Sequence, residues 1–369
     1  MQNLRIRTGK AMLYQPATNQ ITPSVYPVPT PGDGEILVRV TCCTLCGSDL
    51  HTYTGRRKEN NGPSLLGHEI IGVIEAIGGN EVRNDYDGAP LRLGQRITWS
   101  MVVSCGNCFF CKRGISQKCE MKYKYGHDSW SGVPTGGLAE HCLLRANTPI
   151  FSIPDGLSDE VVAPVNCATA TVFAASRLVE ETHRIQGSKV LIWGAGMLGL
   201  TAIARVRDSG GVPYVVEPDQ NRWGIARCFG AEGCVDPTDR TGMLEMSTAI
   251  TQGRGFDISF DFSGVTDAIQ QSISIIRIGG CINLVGSVFP TENISLDPED
   301  MVRRMLTIRG LHNGRMIWPV LLSFWNELLV NIRLRAWFQR PFVWRIQRKH
   351  SNSHWSISRS ALQSRAKCE

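Results

Sequence analysis

The 369-residue chain has no apolar run of the roughly eighteen residues that a membrane-spanning helix needs, so no membrane partner is expected. Its opening residues, "MQNLRIRTGKAML", lack the apolar stretch of a secretory signal, and a cytoplasmic protein is the expectation. An even cysteine count is missing too. Thirteen cysteines cannot all pair, and clustered thiols in a reducing compartment point to metal rather than to a disulfide framework.

A further absence is local. The chain holds 37 glycines, yet none follows Gly314, and "RAWFQRPFVWRIQRKHSNSHW" (335–355) contains no acidic residue. The last 55 residues carry ten Lys or Arg against two acids and five of the nine tryptophans. That tail therefore bears +8 of a chain whose net charge is +6, leaving −2 on the preceding 314 residues. Two compositions meet near Gly314. Basic residues interleaved with tryptophan are what a nucleic-acid groove would show.

Before the tail, 42% hydrophobic content and abundant glycine suit a loop-rich α/β protein of two domains. "CGNCFFCKRGISQKC" (105–119) places Cys105, Cys108, Cys111 and Cys119 at gaps of two, two and seven residues. Such spacing lets four thiolates close the tetrahedron of a structural zinc, a clip rather than a reactive centre. A second set is dispersed: "CCTLCGSDLH" (42–51), "GHE" (67–69) and "VNCATAT" (165–171). Cys46, His68 and Cys167 would be three ligands from separate loops, and an open fourth position distinguishes catalytic from structural zinc. Taken singly, Cys167 reads as a packed thiol and His68 as a core histidine; only the ensemble points to metal. Cys42 and Cys43 lie on the strand "EILVRVTCC" as packing residues.

From Lys189, "KVLIWGAGMLGLTAIARV" runs from an apolar strand into Gly194, Gly196, Met197, Leu198 and Gly199, then a helix. A second strand, "VPYVVE", ends in Glu217. Glycines in that context admit a pyrophosphate to the helix N-terminus, and the acidic residue can accept from ribose hydroxyls. Glu217 would repel a 2′-phosphate, so NAD is favoured over NADP. Alternation continues with a helix over 220–229, a strand over 256–262, a helix over 266–277, and strands over 281–286 and 306–311. It predicts a doubly wound parallel sheet. The region before about residue 155 is instead rich in Gly and Pro with short alternating strands, which predicts a mostly β domain. "IPDGLSDEVV" (153–162) reads as the junction.

Together these motifs resemble the zinc-dependent medium-chain alcohol dehydrogenase family over about residues 1–313. Cys2His with an open position is the standard example of an alcohol dehydrogenase zinc site. The resemblance implies a GroES-like catalytic domain over 1–160 and a Rossmann NAD-binding domain over 161–313. It further implies an active site in the cleft between domains, two zincs per chain, and a homo-oligomer, dimer or tetramer. It assigns Cys46, His68 and Cys167 to catalytic zinc, Glu69 to the acidic neighbour of the metal, Asp49 to orienting the zinc histidine, and Ser48 and His51 to a proton relay. It adds Gly286, in "LVGSVFP", to the cofactor side. "CTLCGSDLHTYTGRRKE", "KYGHD", "GGLAEHCLL" and "NCATATVFAA" are most similar to the subgroup associated with phosphonate catabolism. The implied substrate is a small alcohol or aldehyde, with polyol or amino-alcohol (sorbitol- or threonine-type) oxidation as the alternative.

After "LTIRGLHN" the family pattern stops, where a returning helix and strands are implied. Reading the third base of each codon with the first two of the next, Met316-Ile317 forces Asp, Trp318-Pro319 forces Ala, and Phe324-Trp325-Asn326 forces Leu-Glu. The shifted segment can read "D-L-A-S-A" and then "F-L-E-R", an amphipathic helix of the implied kind. Residues 314–369 are therefore expected to be a frameshifted tail rather than a nucleic-acid appendage. An inactive product retaining only zinc or NAD binding is the alternative to a working enzyme.

Overall fold

A computed structural model describes residues 6–57 and 62–312, with the backbone of residues 345–348 and 355–358. The described chain forms two compact units that divide between Cys167 and Ala168.

In the first unit a hairpin, β1 (Thr8–Gln15) and β2 (Gln20–Pro27), precedes β3 (Ile36–Thr44), α1 (Gly47–Tyr53), β4 (Glu69–Ile77) and β5 (Arg96–Trp99). Then follow β6 (Val102–Val103), α2 (Phe109–Lys112), β7 (Tyr123–Lys124), β8 (His141–Leu144), β9 (Ile150–Ser152) and α3 (Asp159–Val162). The main sheet is antiparallel in the order β8-β3-β4-β5-β9. Its β-branched and aromatic residues suit a pleated, half-buried surface. Ile36, Val38, Ile70, Ile74, Ile97 and Trp99 share one core. The β3–β4 register ends on the pair Thr44–Glu69, so the loop after β3 and the loop before β4 emerge at the same edge.

The second unit opens with α4 (Ala168–Glu180), β10 (Lys189–Trp193), α5 (Met197–Asp208) and β11 (Val212–Val216). It continues through α6 (Trp223–Cys228), β12 (Gly233–Val235), α7 (Arg240–Thr251) and β13 (Phe256–Asp261). The last elements are α8 (Thr266–Ile275), β14 (Ile276–Leu284), α9 (Pro298–Arg303) and β15 (Thr307–Gly310). Six parallel strands lie in the order β12-β11-β10-β13-β14-β15. The chain enters mid-sheet at β10, winds one way to β12 and then the other way to β15. This is the doubly wound arrangement, with a switch point between β10 and β13 where such sheets bind dinucleotides. Leu191, Trp193, Val216, Phe256 and Ile282 pack into its core.

Two features differ from the sequence expectation. The helix expected to reach residue 277 stops at Ile275, and β14 starts at Ile276 rather than 281. The β-branched "IRI" extends, Gly279 takes φ +68°, and the pairing with β13 shifts register between Phe256 and Ile258. Helix α7 has no counterpart in the sequence expectation, because "RTGMLEMSTAIT" buries only Met243, Ser247 and Thr251 and so has little apolar periodicity; Asp239 caps it by accepting from Gly242 N. Among the described residues no single helix is long and apolar enough to cross a membrane. The expected frameshifted tail lies outside the described residues, except for two short strands, β16 (Arg345–Arg348) and β17 (Trp355–Ser358), paired antiparallel.

Candidate metal centres and dinucleotide loop

Three chain segments meet at the edge where β3 ends and β4 begins. Cys46 caps α1 just after β3, and His68 immediately precedes Glu69, the first residue of β4. Asp49, in the first turn of α1, ties these loops together. Its Oδ2 accepts from Cys46 N at 2.9 Å and its Oδ1 from Gly67 N at 3.1 Å, while Oδ2 also lies 3.3 Å from His68 Nδ1. The third segment arrives through Asn166, whose Nδ2 donates to His68 O at 2.9 Å and Trp99 O at 3.0 Å. That anchor sets Cys167 Sγ 3.8 Å from Cys46 Sγ. One donor atom from each of Cys46, His68, Glu69 and Cys167 lies within 4.8 Å of all the others.

The donor set fits a zinc ion. His68 is fully buried, and neither ring nitrogen has a hydrogen-bond partner among the described residues, Nδ1 having only the Asp49 carboxylate at 3.3 Å. A buried imidazole nitrogen facing two sulfurs is the arrangement a borderline-soft cation satisfies. The Cys167 thiol and then His68 hold the Cys46 thiol well below its ordinary range. Burial opposes charge on His68, but Asp49 and Cys46 outweigh it and keep the imidazole well above its usual value. Glu69 is pushed up to about 8, first by burial and then by Cys46, while the Thr44 hydroxyl donates to it. Ser48 and His51 lie three positions apart on α1, as neighbours on the helix surface. Burial, then Arg56 and Arg57, hold the His51 imidazole below its ordinary value.

The second cluster is built from one loop. Cys105, Cys108, Cys111 and Cys119 each bring a sulfur within 4.8 Å of the others. Gly106 and Gly114 turn the chain at φ +74° and +75°, in the left-handed region that favours glycine. Backbone amides point at the sulfurs: Cys105 N donates to Cys119 Sγ at 3.3 Å and Cys108 N to Cys105 Sγ at 3.4 Å. The amides of Glu120 and Cys111 bring the Cys108 thiol down to about 6, so a thiolate is accessible there near neutral pH. Four sulfurs and no carboxylate or imidazole make a closed structural zinc set.

In the second unit the glycine-rich turn joins β10 to α5 at the sheet's switch point. Gly194 has φ +92°, and a Cβ on Gly199 would lie 1.8 Å from Gly194 O, so only glycine closes this turn. Gly196 caps α5, and a Cβ there would meet nothing within 4 Å, which leaves its surface open to a ligand. Met197 and Leu198 begin the helix half-buried. Glu217 is buried just beyond β11; its Oε2 accepts from Ala195 N at 2.6 Å and its Oε1 from Asp219 N at 3.0 Å. A carboxylate has lone pairs for further donors, so the same group can both brace the turn and receive ribose hydroxyls. Gly286 has a different setting. A Cβ on it would be 2.4 Å from Gly264 N, and the Phe262–Gly264 turn that fills this space also approaches Gly194, its Ser263 N lying 3.7 Å from where that residue's Cβ would be.

Three neighbours of the first centre carried no role in the sequence reading: Thr44, Asn166 and His127. Asn166 directly precedes Cys167, and Thr44 lies two residues before Cys46, so adjacency to a ligand was the available signal. His127 belongs to "KYGHD", a motif noted only for resemblance. Its ring is stacked on that of His68, with centroids 4.7 Å apart and planes at 28°. Burial and then His68 hold its imidazole well below the ordinary value.

Comparison with known proteins gives consistent results. The family described as "Alcohol dehydrogenase GroES-like domain" matches residues 32–155, and "Zinc-binding dehydrogenase" matches residues 198–327. The chain is 30% identical over 299 residues to an L-threonine 3-dehydrogenase of Pyrococcus furiosus, covering 79% of each chain. Its fold is similar to that of an alcohol dehydrogenase from Thermotoga maritima, with a TM-score of 0.80 at 24% identity over 89% of this chain and 91% of that one. A zinc-binding dehydrogenase from Sinorhizobium meliloti, solved with NADP, gives a TM-score of 0.74 at 25% identity over 88% and 90%.

Proposed function

Since the chain belongs to the zinc-dependent medium-chain alcohol dehydrogenase family, we propose that it transfers a hydride between a small alcohol and NAD, giving the aldehyde or ketone. The observation that carries this reading is the convergence of donor atoms from Cys46, His68, Glu69 and Cys167 within 4.8 Å of one another, with the His68 ring fully buried. Zinc supplies Lewis acidity that makes a bound alcohol easier to deprotonate, and NAD supplies the hydride acceptor. The protein's own groups do the rest. Cys46, His68 and Cys167 hold the metal, Asp49 orients His68, and Glu69 sits among the donor atoms as the neighbouring carboxylate. Ser48 takes the alcohol proton and His51, its imidazole held below the ordinary value by burial and then Arg56, receives it. Gly194, Gly196, Met197, Leu198 and Gly199 cradle the pyrophosphate, Gly286 shapes the adjoining turn, and Glu217 selects NAD by repelling a 2′-phosphate.

The motif subgroup favours a phosphonate-related alcohol. Likeness to L-threonine 3-dehydrogenases supports an amino alcohol as the second reading. Thiol-rich metal sites suit the reducing cytoplasm, and the family resemblance supports a homo-oligomer, with residues 1–160 and 161–313 as catalytic and NAD-binding domains. The test is NADH formation by the zinc-loaded chain with phosphonate-bearing alcohols, amino alcohols and polyols, run also in the reducing direction with the aldehydes. Turnover of one class identifies the substrate. A chain that holds two zincs but binds no NAD and turns over neither alcohols nor aldehydes would overturn the reading.

A further inference from the structure

His68 is constrained at its edges: Asp49 Oδ2 lies 3.3 Å from Nδ1, and one ring nitrogen lies within 4.8 Å of the Cys46 and Cys167 sulfurs. Both constraints act at the rim of the ring and leave its faces unsupported. A flat group against a ring face gives that support, and His127 supplies one, stacked at 4.7 Å with the planes only 28° apart. Both rings are buried, so neither stacks as a chance surface contact.

The backbone that carries His127 is built for this approach. Gly126 has φ +71°, and a Cβ there would lie 2.3 Å from Gly67 O and 3.0 Å from His68 Cβ. A Cβ on Gly136 would lie 2.5 Å from Leu65 O and 3.1 Å from Gly126 Cα. Hydrogen bonds lock the three strands of chain together: Gly126 N donates to Thr135 O at 2.9 Å, Gly137 N to Gly67 O at 2.7 Å and Leu138 N to Leu66 O at 3.0 Å. Glycines at these contacts let the segment before His127 lie against the segment before His68 with no side chain between. His127 is absent from the set of donor atoms that share the centre, so it is not itself a ligand there.

Resting on the zinc reading above, we infer that His127 is a positioning residue for the catalytic metal, whose stacked ring sets the plane of the His68 imidazole so that a ring nitrogen faces the Cys46 and Cys167 sulfurs. Partners that orient a ligating histidine typically change metal affinity by about 10–100-fold when removed. The four-cysteine cluster of the same chain provides an internal reference, because His127 has no part in it.

The experiment compares the full-length parent with His127→Ala, His127→Leu and His127→Phe. Zinc is withdrawn by a graded chelator series, and cobalt is substituted to read the thiolate charge-transfer and ligand-field bands of the first centre. Ala, and Leu with similar bulk but no flat face, should hold the catalytic-site metal about 10–100-fold more weakly and shift the cobalt bands. Phe, which keeps a flat ring, should restore both. Metal at the four cysteines should stay unchanged in all, which excludes global misfolding as the cause. Variants with parental affinity and spectrum, or a Phe variant as weak as Ala, overturn the inference alone. A parent that takes up metal only at the four-cysteine cluster overturns the zinc reading, and the inference with it.

Discussion

Asp261 closes β13 fully buried, and its two oxygens are treated unequally. Oδ1 accepts from Ser263 N at 2.9 Å, Ser263 Oγ at 2.6 Å and Gly264 N at 3.2 Å, while Oδ2 has no hydrogen-bond partner among the described residues. Burial raises the carboxyl above its ordinary value despite those three bonds. A folded-state pKa above the unfolded one gives stability that is complete below the unfolded pKa and lost as pH rises through the folded one. Ionised Asp261 is therefore a cost at neutral pH. Asp261→Asn keeps Oδ1 as acceptor and removes the charge. Its Tm should exceed the parent's at about pH 7.5 and the gap should close toward about pH 4, where carboxyls protonate. Thermal unfolding at both values checks this, and a gap that does not vary with pH would show that the charge is not the source.

Elements explain why the two metal clusters differ in legibility. The four cysteines sit within one loop around α2, so their spacing alone sets their meeting, and "CGNCFFCKRGISQKC" was readable as a site. Cys46, His68 and Cys167 meet because β3 and β4 are in register and Asn166 bridges His68 O and Trp99 O, none of which spacing encodes. The lobe should also behave as a separable clip. Cys108→Ser should lose about one metal equivalent per chain and expose residues 105–119 to proteolysis, since structural zinc supplies folding energy directly. NAD binding by the second unit should persist. Limited proteolysis with metal analysis reads the outcome, and unchanged resistance of the lobe with the metal gone would remove the structural role.

For the molecule as a whole, the first and second units each have a core of their own, and the family match extends over both. The composition break near Gly314 falls inside the second family match, which runs on to residue 327 rather than stopping at the expected 313. A tail of net +8 without glycine follows an α/β chain of net −2. Replacing residues 314–369 with the shifted-frame translation of the same DNA should raise Tm and increase turnover, because terminal elements of a domain cover apolar surface that otherwise faces water. Differential scanning of the two proteins, with resequencing of the source DNA, decides between origins. An intact source frame, together with a replacement that unfolds earlier, would establish the basic tail as the native end.

The sequence by itself determined the donor chemistry: four close-spaced cysteines, two cysteines and a histidine on separate loops, and glycines that only a tight turn before a helix requires. These are local properties, fixed by side-chain type and by the few backbone angles between near neighbours. Tertiary structure alone decided which groups surround those donors. Thr44 reaching Glu69, Asn166 joining two strands to a ligand, and His127 lying flat on His68 are contacts between segments distant in sequence. Such contacts are set by strand register, glycine-permitted close approach and buried hydrogen bonds, and those exist only once the chain has packed.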